Sequence, residues 1–172
     1  MECGPSTRAA IVLGLFLLAA PQAVPAGLPR DLQARVLAVH NATRAEIGVA
    51  PLKWDERLAL DAEQWARHLA QINAMAHWGA HGEPANGEGE NLWMGSRGYF
   101  SVEQMTGAWA AEKTAFRHAR RWEDDFSHVG HYTQMVWRST NAVGCAIASN
   151  AQFDFLVCRY APPGNLLGQA AY

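Results

Sequence analysis

The segment from 130 to 140, GHYTQMVWRST, constrains the fold most, because it sets His131 directly before a run of apolar and aromatic residues. The run over residues 133–137 is typical of a strand, and two more strand-like runs follow at residues 142–148 and 153–160. Because short turns separate the runs, they predict an antiparallel meander. An imidazole at the start of such a segment can be a metal ligand, a base or a buried hydrogen-bond partner.

Three stretches upstream have the periodicity of amphipathic helices. Apolar residues recur at intervals of three and four over residues 31–47, and again after Asp55, a good N-cap, until the pattern fades near His77. The third helix begins at Ser101 with a capping box, and its apolar stripe contains a carboxylate, Glu112. A carboxylate on a buried stripe is unfavourable unless it is paired, so Glu112 either makes a structural hydrogen bond or faces a polar cavity.

Two connecting segments are predicted between these elements. Residues 77–91 are rich in glycine, histidine and glutamate, which favours a functional loop over a plain linker. Residues 117–129 are charged and irregular, and we expect a surface connection there. Polar side chains of the first segment are therefore candidates for a site.

The first 26 residues have the pattern of a secretory signal peptide. Arg8 precedes a twelve-residue apolar run, and Val24-Pro25-Ala26 supplies the small residues that a signal peptidase recognises. A membrane span needs about 20 apolar residues, so an uncleaved anchor is the less favoured alternative. We expect removal of residues 1–26, which leaves residues 27–172 as a single domain without a transmembrane anchor. Such a protein would be secreted and extracellular, or periplasmic in a Gram-negative bacterium.

Two cysteines remain once Cys3 is assigned to the signal peptide. Cys145 and Cys158 each lie in a strand-like run, and an oxidising compartment favours a disulfide between the two strands. Closing so short a loop stabilises a fold by about 3 kcal/mol in the chain-entropy account. A thiol pair that binds metal is the alternative, although a separation of thirteen fits no zinc spacing well. The formal net charge of -2 offers no basic surface for nucleic acid, which we exclude as a partner.

Four motifs resemble those of the CAP superfamily, also called the SCP domain, which includes cysteine-rich secretory proteins, antigen 5 and plant pathogenesis-related proteins of group one. They are HNATR at residues 40–44, GENLW at 89–93, GHYTQMVW at 130–137 and FLVCRYAPPGN at 155–165. The motifs occur in the family's order and span nearly all of the chain after the signal peptide. The resemblance implies an α+β fold, a three-layer α-β-α sandwich with a central antiparallel sheet. It also implies a compact single-domain, bacterial-type secreted member.

The same resemblance implies a cleft formed by two histidines and two glutamates. Carried over by motif, these are His77, Glu90, Glu112 and His131, with His81 as a rival to His77. Trp78 follows the first histidine where many members have serine, which weakens a serine-nucleophile mechanism. The remaining motif residues are expected to hold the sandwich together: His40, Asn41, Arg44, Asn91, Tyr132, Gln134, Trp137 and Tyr160.

Two neutral imidazoles can hold a divalent ion such as zinc as a cofactor, but only loosely, since two nitrogens are an incomplete ligand set. Glu90 and Glu112 would orient the imidazoles or act as a base on bound water. The favoured function is an extracellular monomer that binds a lipid, a small molecule or another ligand. One alternative is a metal-assisted hydrolase with Glu90 and Glu112 as candidate catalytic residues. The other is an effector that acts through an extracellular protein partner.

Overall fold

The computed structural model describes Met1 and residues 31–79, 87–117 and 121–172. The predicted signal peptide, apart from Met1, and the rival histidine His81 lie outside the described residues. Within those ranges, no helix combines the length and apolar character needed to cross a membrane. The elements in chain order are α1 (Leu32–Ala45), β1 (Lys53–Trp54), α2 (Glu56–Ile72), β2 (Gly89–Ser96), α3 (Val102–Ala111), α4 (Lys113–Phe116), a 3-10 helix (Trp122–Asp125), α5 (Phe126–Val136), β3 (Ala142–Ser149) and β4 (Phe153–Ala161).

Side-chain caps fix the starts of two helices, as the sequence predicts. Asp55 accepts a hydrogen bond from the backbone N–H of Leu58 at 3.0 Å at the start of α2. Ser101 and Gln104 form a complete capping box at the start of α3. Because α3 stops one residue before Glu112, this carboxylate lies at the junction with α4 rather than in the middle of a helix.

The four strands form one sheet in the order β1-β3-β4-β2. β4 pairs antiparallel with both β3 and β2, whereas the short β1 pairs parallel with β3. The central part of the sheet is therefore antiparallel, as predicted, and β1 is a parallel addition at its edge. Cys145 and Cys158 lie opposite each other on β3 and β4 and form the predicted disulfide.

The prediction of a strand at residues 133–137 is wrong. Residues up to Val136 belong to α5, and the place beside β4 is taken by β2, which contains the GENLW motif. A short apolar run suits a buried helix and a buried strand equally, so apolar content could not decide between them. The expected surface connection at 117–129 also contains the 3-10 helix and the start of α5, where Trp122 and Val129 are buried.

Helices cover both faces of the sheet and give the predicted three-layer sandwich. α2 packs on one face, where Trp65 and Leu69 share a cluster with Phe155 and Val157 of β4. On the opposite face, α1, α3 and α5 pack on one another and on the sheet, and Tyr160 of β4 belongs to this second core. Successive side chains of a strand point to opposite faces, so β4 supplies both cores. β2 begins at Gly89, and a cleft lies at this end of the strand.

Candidate functional site

Glu112 and His131 form the first of two matching pairs. The ring nitrogen Nδ1 of His131 lies 2.6 Å from Oε1 of Glu112. The other carboxylate oxygen accepts hydrogen bonds from the backbone N–H groups of His131 and Tyr132, both at 3.0 Å. The indole of Trp109 stacks on the imidazole with ring centroids 6.0 Å apart and planes 17° apart. The carboxylate that interrupts the apolar stripe therefore uses both of its oxygens to hold His131 and the adjoining backbone.

His77 and Glu90 form the second pair. α2 ends at Ile72, so His77 lies in the connecting segment rather than at a helix end. Its Nδ1 is 2.6 Å from Oε1 of Glu90, which also accepts a hydrogen bond from the backbone N–H of Trp78 at 3.1 Å. Glu90 is on β2, whose register fixes where its carboxylate stands. Both histidines are thus oriented through Nδ1 by a carboxylate.

A buried cation stands behind Glu90. Arg159 is the residue opposite Glu90 across the β2–β4 pair, and its Nη2 lies 3.0 Å from Oε2 of the carboxylate. Neither atom has a well-aligned hydrogen bond within the described residues, so the attraction is mainly between the charges. The guanidinium also lies over the indole of Trp78, 5.2 Å from the ring centroid. Glu112 has no such cation among its described contacts, so the two pairs differ electrostatically.

The two pairs meet at one cavity of about 200 Å³. It is lined by His77, Glu90, Asn91, Phe126, Ser127, Gly130, His131 and Asn165. Glu112 stands behind His131 and reaches the cavity only through that imidazole. A second, open groove of about 440 Å³ adjoins it and shares His77, Glu90, Phe126 and Asn165. The structure therefore places His77, Glu90 and His131 around a single space, with Glu112 directly behind His131.

The donor set of this cavity fits a divalent ion only in part. A metal-binding histidine usually gives its second nitrogen to a carboxylate, and His77 and His131 both do so through Nδ1, which leaves Nε2 of each ring for a ligand. Across the ranges that the structure covers, however, no group of three or more histidine, cysteine, aspartate or glutamate side chains could hold a metal. Two imidazole nitrogens would have to be completed by water, which predicts weak binding.

A buried chain of hydrogen bonds connects the motif residues to the cleft. Nε2 of His40 lies 2.8 Å from the hydroxyl of Tyr160, which in turn accepts from the Nδ2 amide of Asn91 at 3.2 Å. The same amide donates to the backbone carbonyl of His131 at 3.0 Å. Since Nδ1 of His40 faces the carbonyl of Val36 at 2.9 Å, that nitrogen carries the ring proton, and Nε2 accepts from the hydroxyl of Tyr160. Burial also raises the pKa of Tyr160.

Arg44 and Asn41 tie α1 to the loops around it. Arg44 donates to four backbone carbonyls at 2.6 to 3.0 Å, those of Ala50, Met135, Trp137 and Thr140. Burial lowers the pKa of its guanidinium to about 10. The amide of Asn41 donates to the carbonyl of Leu52 at 3.2 Å and accepts from its N–H at 2.7 Å. These side chains substitute for backbone partners that irregular segments lack.

Several residues of the cleft were not singled out from the sequence, among them Phe126, which lines both the cavity and the groove. Arg159 and Asn165 lie in the FLVCRYAPPGN motif, which was quoted for the resemblance without giving either a role. Ser127 lines the smaller cavity, and its hydroxyl is 3.2 Å from Nδ1 of His128. That same nitrogen is 2.7 Å from Asp125, so it is committed to a carboxylate and does not activate Ser127 as a nucleophile.

Comparisons with known proteins agree with one another. The model of the cysteine-rich secretory protein family, CAP, matches residues 37–160. Pathogenesis-related protein 1C of Nicotiana tabacum is 36% identical over 144 residues, which cover 83% of this chain and 82% of the relative. Pathogenesis-related protein PRMS of Zea mays is 31% identical over 170 residues, covering 97% and 98% of the two chains.

Two solved structures are similar in fold. The structure of NaASP2 with Zn2+ has a TM-score of 0.70 and 25% sequence identity, and the match covers 87% of this chain and 88% of that one. The structure of BmVAL-1 has a TM-score of 0.66 and 21% sequence identity, and the match covers 86% of this chain and 85% of that one. The second match bears on the fold alone, and it covers nearly the same share of the chain as the first.

Proposed function

The chain belongs to the CAP family of cysteine-rich secretory proteins, and on that premise we propose that it is an extracellular binding protein whose His/Glu cleft takes a weakly held divalent ion such as Zn2+. The observation that carries the proposal is the matched orientation of His77 and His131. Each imidazole is fixed through Nδ1 by a carboxylate, and both line one cavity. The similar protein NaASP2, solved with Zn2+, is a second support. A bound ion would supply a positive charge that attracts electron-rich groups of a ligand.

The groove beside the cavity supports a ligand-binding role. Its volume of about 440 Å³ falls within the range of small-molecule sites. Trp78, Phe126 and Pro163 supply apolar surface to it, while Glu88, Glu90 and Arg159 supply charge. Such a mixture suits an amphipathic ligand, and a lipid is the class that we propose.

Metal-assisted hydrolysis is less well supported by the same geometry. A general base must reach the proton that it removes. Glu90 and Glu112 both hold an imidazole and backbone N–H groups, and the second oxygen of Glu90 is buried beside Arg159. Glu112 does not line the cavity, and both oxygens of Glu90 already have partners, so the geometry favours a positioning role over a general base for each carboxylate.

Zinc titration by calorimetry tests the ion site. The wild-type protein should bind one ion weakly and saturably, and His131→Ala should lower the affinity at least tenfold because a ligand is removed. His128→Ala is the matched control: this exposed histidine is on the same helix and also faces a carboxylate, but it lies outside the cavity. No saturable binding by the wild type, or equal affinity in His131→Ala, would exclude the proposed site.

A thermal-shift panel of sterols and fatty acids tests the ligand class. A ligand that binds only the folded protein raises the unfolding midpoint by mass action. Phe126→Ala should reduce that rise, since Phe126 lines the groove and is 51% exposed, so that its removal disturbs the core little. Tyr99→Ala removes another exposed aromatic ring, which lies outside the groove, and should leave the rise unchanged. An unaltered midpoint across the panel would remove lipids from the proposal and favour a protein partner.

A further inference from the structure

The backbone around His131 is held by side chains from three separate parts of the chain. The carbonyl of Gly130 accepts a hydrogen bond from Nδ2 of Asn165 at 2.9 Å. The N–H of His131 donates to Glu112, and its carbonyl accepts from Asn91 at 3.0 Å. Each peptide group that flanks the imidazole is therefore fixed from outside α5. The contact from Asn165 is the one that comes from the segment after β4.

Asn165 uses both ends of its amide on this part of α5. While Nδ2 binds the carbonyl of Gly130, Oδ1 accepts a hydrogen bond from the hydroxyl of Thr133 at 2.7 Å. Because the two contacts lie on either side of His131 in sequence, they restrict how this turn can move. Asn165 also lines both the small cavity and the adjoining groove.

The segment that carries Asn165 is itself anchored. The N–H of Gly164 donates to Oε1 of Gln134 at 3.0 Å, and the hydroxyl of Thr140 donates to the carbonyl of Pro162 at 2.9 Å. Asn165 has a φ of 55°, in the left-handed region that asparagine and glycine tolerate better than other residues. Its amide is thus presented to α5 from a fixed position rather than from a free loop.

We infer that Asn165 is a positioning residue for His131: it fixes the turn of α5 that aims the imidazole into the cavity, and thereby makes the segment after β4 part of the ion site. The inference rests on the proposed binding of a divalent ion by the cleft. Removal of the Asn165 amide should leave the ligand present but less well oriented. Loss of a group that bonds a metal-binding imidazole directly lowers metal affinity by about 10- to 100-fold. Asn165 acts one step further out, through the carbonyl of Gly130, so we expect a loss near the lower end of that range.

Asn165→Gly is the test variant, because glycine accepts the same φ without strain and only the amide is lost. Asn73→Gly is the matched control: Asn73 also has a positive φ, 51°, and also makes a side-chain hydrogen bond, to Asn150, but it lines neither cavity. Zinc affinity is measured by calorimetry, and the proton on Nδ1 of His131 is followed by nitrogen-15 NMR of the ion-free protein at one fixed pH. Thermal midpoints of both variants report stability separately.

Asn165→Gly should bind zinc about tenfold more weakly than wild type and lose or broaden the His131 Nδ1–H signal, while Asn73→Gly keeps the wild-type affinity and signal. A fall in the thermal midpoint with unchanged zinc affinity and an unchanged Nδ1–H signal would make Asn165 merely structural and overturn the inference. If wild type binds no zinc, the proposed ion site is wrong. The His131 Nδ1–H signal of the ion-free protein then tests by itself whether Asn165 positions His131. Retention of that signal in Asn165→Gly then overturns the inference, and its loss supports positioning of His131.

Discussion

The fold keeps His40 neutral. The side chain is completely buried on α1, with Nδ1 2.9 Å from the carbonyl of Val36 and Nε2 bound to Tyr160. Burial lowers the pKa of His40 to about 4, the hydrogen bond to Val36 opposes this shift, and the charge of Arg44 adds to it. Protonation would add an uncompensated charge inside the core, so it is coupled to unfolding.

His40 should therefore make the protein less stable as the pH falls. Between about pH 6.5 and pH 4 the unfolded chain binds a proton at this position and the folded chain does not, so the free energy of unfolding decreases over that window. The contribution is about 3 kcal/mol, fully present above pH 6.5 and lost near pH 4. In His40→Gln this contribution should vanish. Urea unfolding of wild type and His40→Gln at several pH values measures this difference, since all other groups titrate in both proteins. If the free energy of unfolding changed with pH equally in the two proteins, the prediction would be wrong.

At the scale of residues, the sequence predicts those cleft members that break a pattern. Glu112 is visible because a charge interrupts an apolar stripe, and His131 because it precedes a core segment. Asn165 breaks no pattern, whereas Arg159 is a charge within the apolar run of β4 to which the sequence assigned no partner. Their partners lie 35 and 69 positions away in the chain, at Gly130 and Glu90. Contacts of that kind depend on strand register and on the docking of a loop, which local sequence does not encode.

At the scale of elements, helices were easier to predict than strands. α2 and α3 carry their start signals in the chain itself, at Asp55 and Ser101. β2 was missed, because GENLWMGS has no alternation of apolar and polar residues, and the strand exists through its pairing with β4. The end of α5 was taken for a strand for the related reason that a buried helix loses its polar face.

The contact between α2 and β3 depends on one glycine. An ideal Cβ on Gly144 would lie 2.2 Å from the backbone nitrogen of Ala59 and 2.5 Å from the carbonyl oxygen of Asp55. Because these are helix backbone atoms that cannot rotate away, Gly144→Ala should push α2 off the sheet and destabilise the protein by about 1–3 kcal/mol or more. Chemical denaturation measures the change.

Gly107 provides the matched control for that substitution. It lies in α3, and a Cβ there would meet nothing within 4 Å. Gly107→Ala should stabilise the protein by about 0.5–1 kcal/mol, since alanine loses less backbone entropy in a helix. Equal effects of the two substitutions would show that close packing at Gly144 is unimportant.

At the scale of the molecule, the sandwich was predictable because four motifs and three helical patterns agree on one architecture. The connection between its layers was not. His40 on α1, Tyr160 on β4 and Asn91 on β2 form one buried hydrogen-bonded chain that ends at the carbonyl of His131 on α5. Buried polar groups are costly when left unpaired, so this chain should act as a unit that holds helices and sheet in a single arrangement around the cleft.

A double-mutant cycle tests that cooperativity. Tyr160→Phe leaves His40 and Asn91 without the shared hydroxyl, and should destabilise the protein by about 1–3 kcal/mol. Asn91→Ala alone should have a similar effect, but the double variant should lose about 1 kcal/mol less than the sum, because the second substitution removes a bond already broken. Tyr160→Phe combined with Ser101→Ala, which removes an exposed cap with no shared partner, should be additive. Additivity in the first cycle would mean that the layers are held independently and that the cleft does not depend on the chain as a whole.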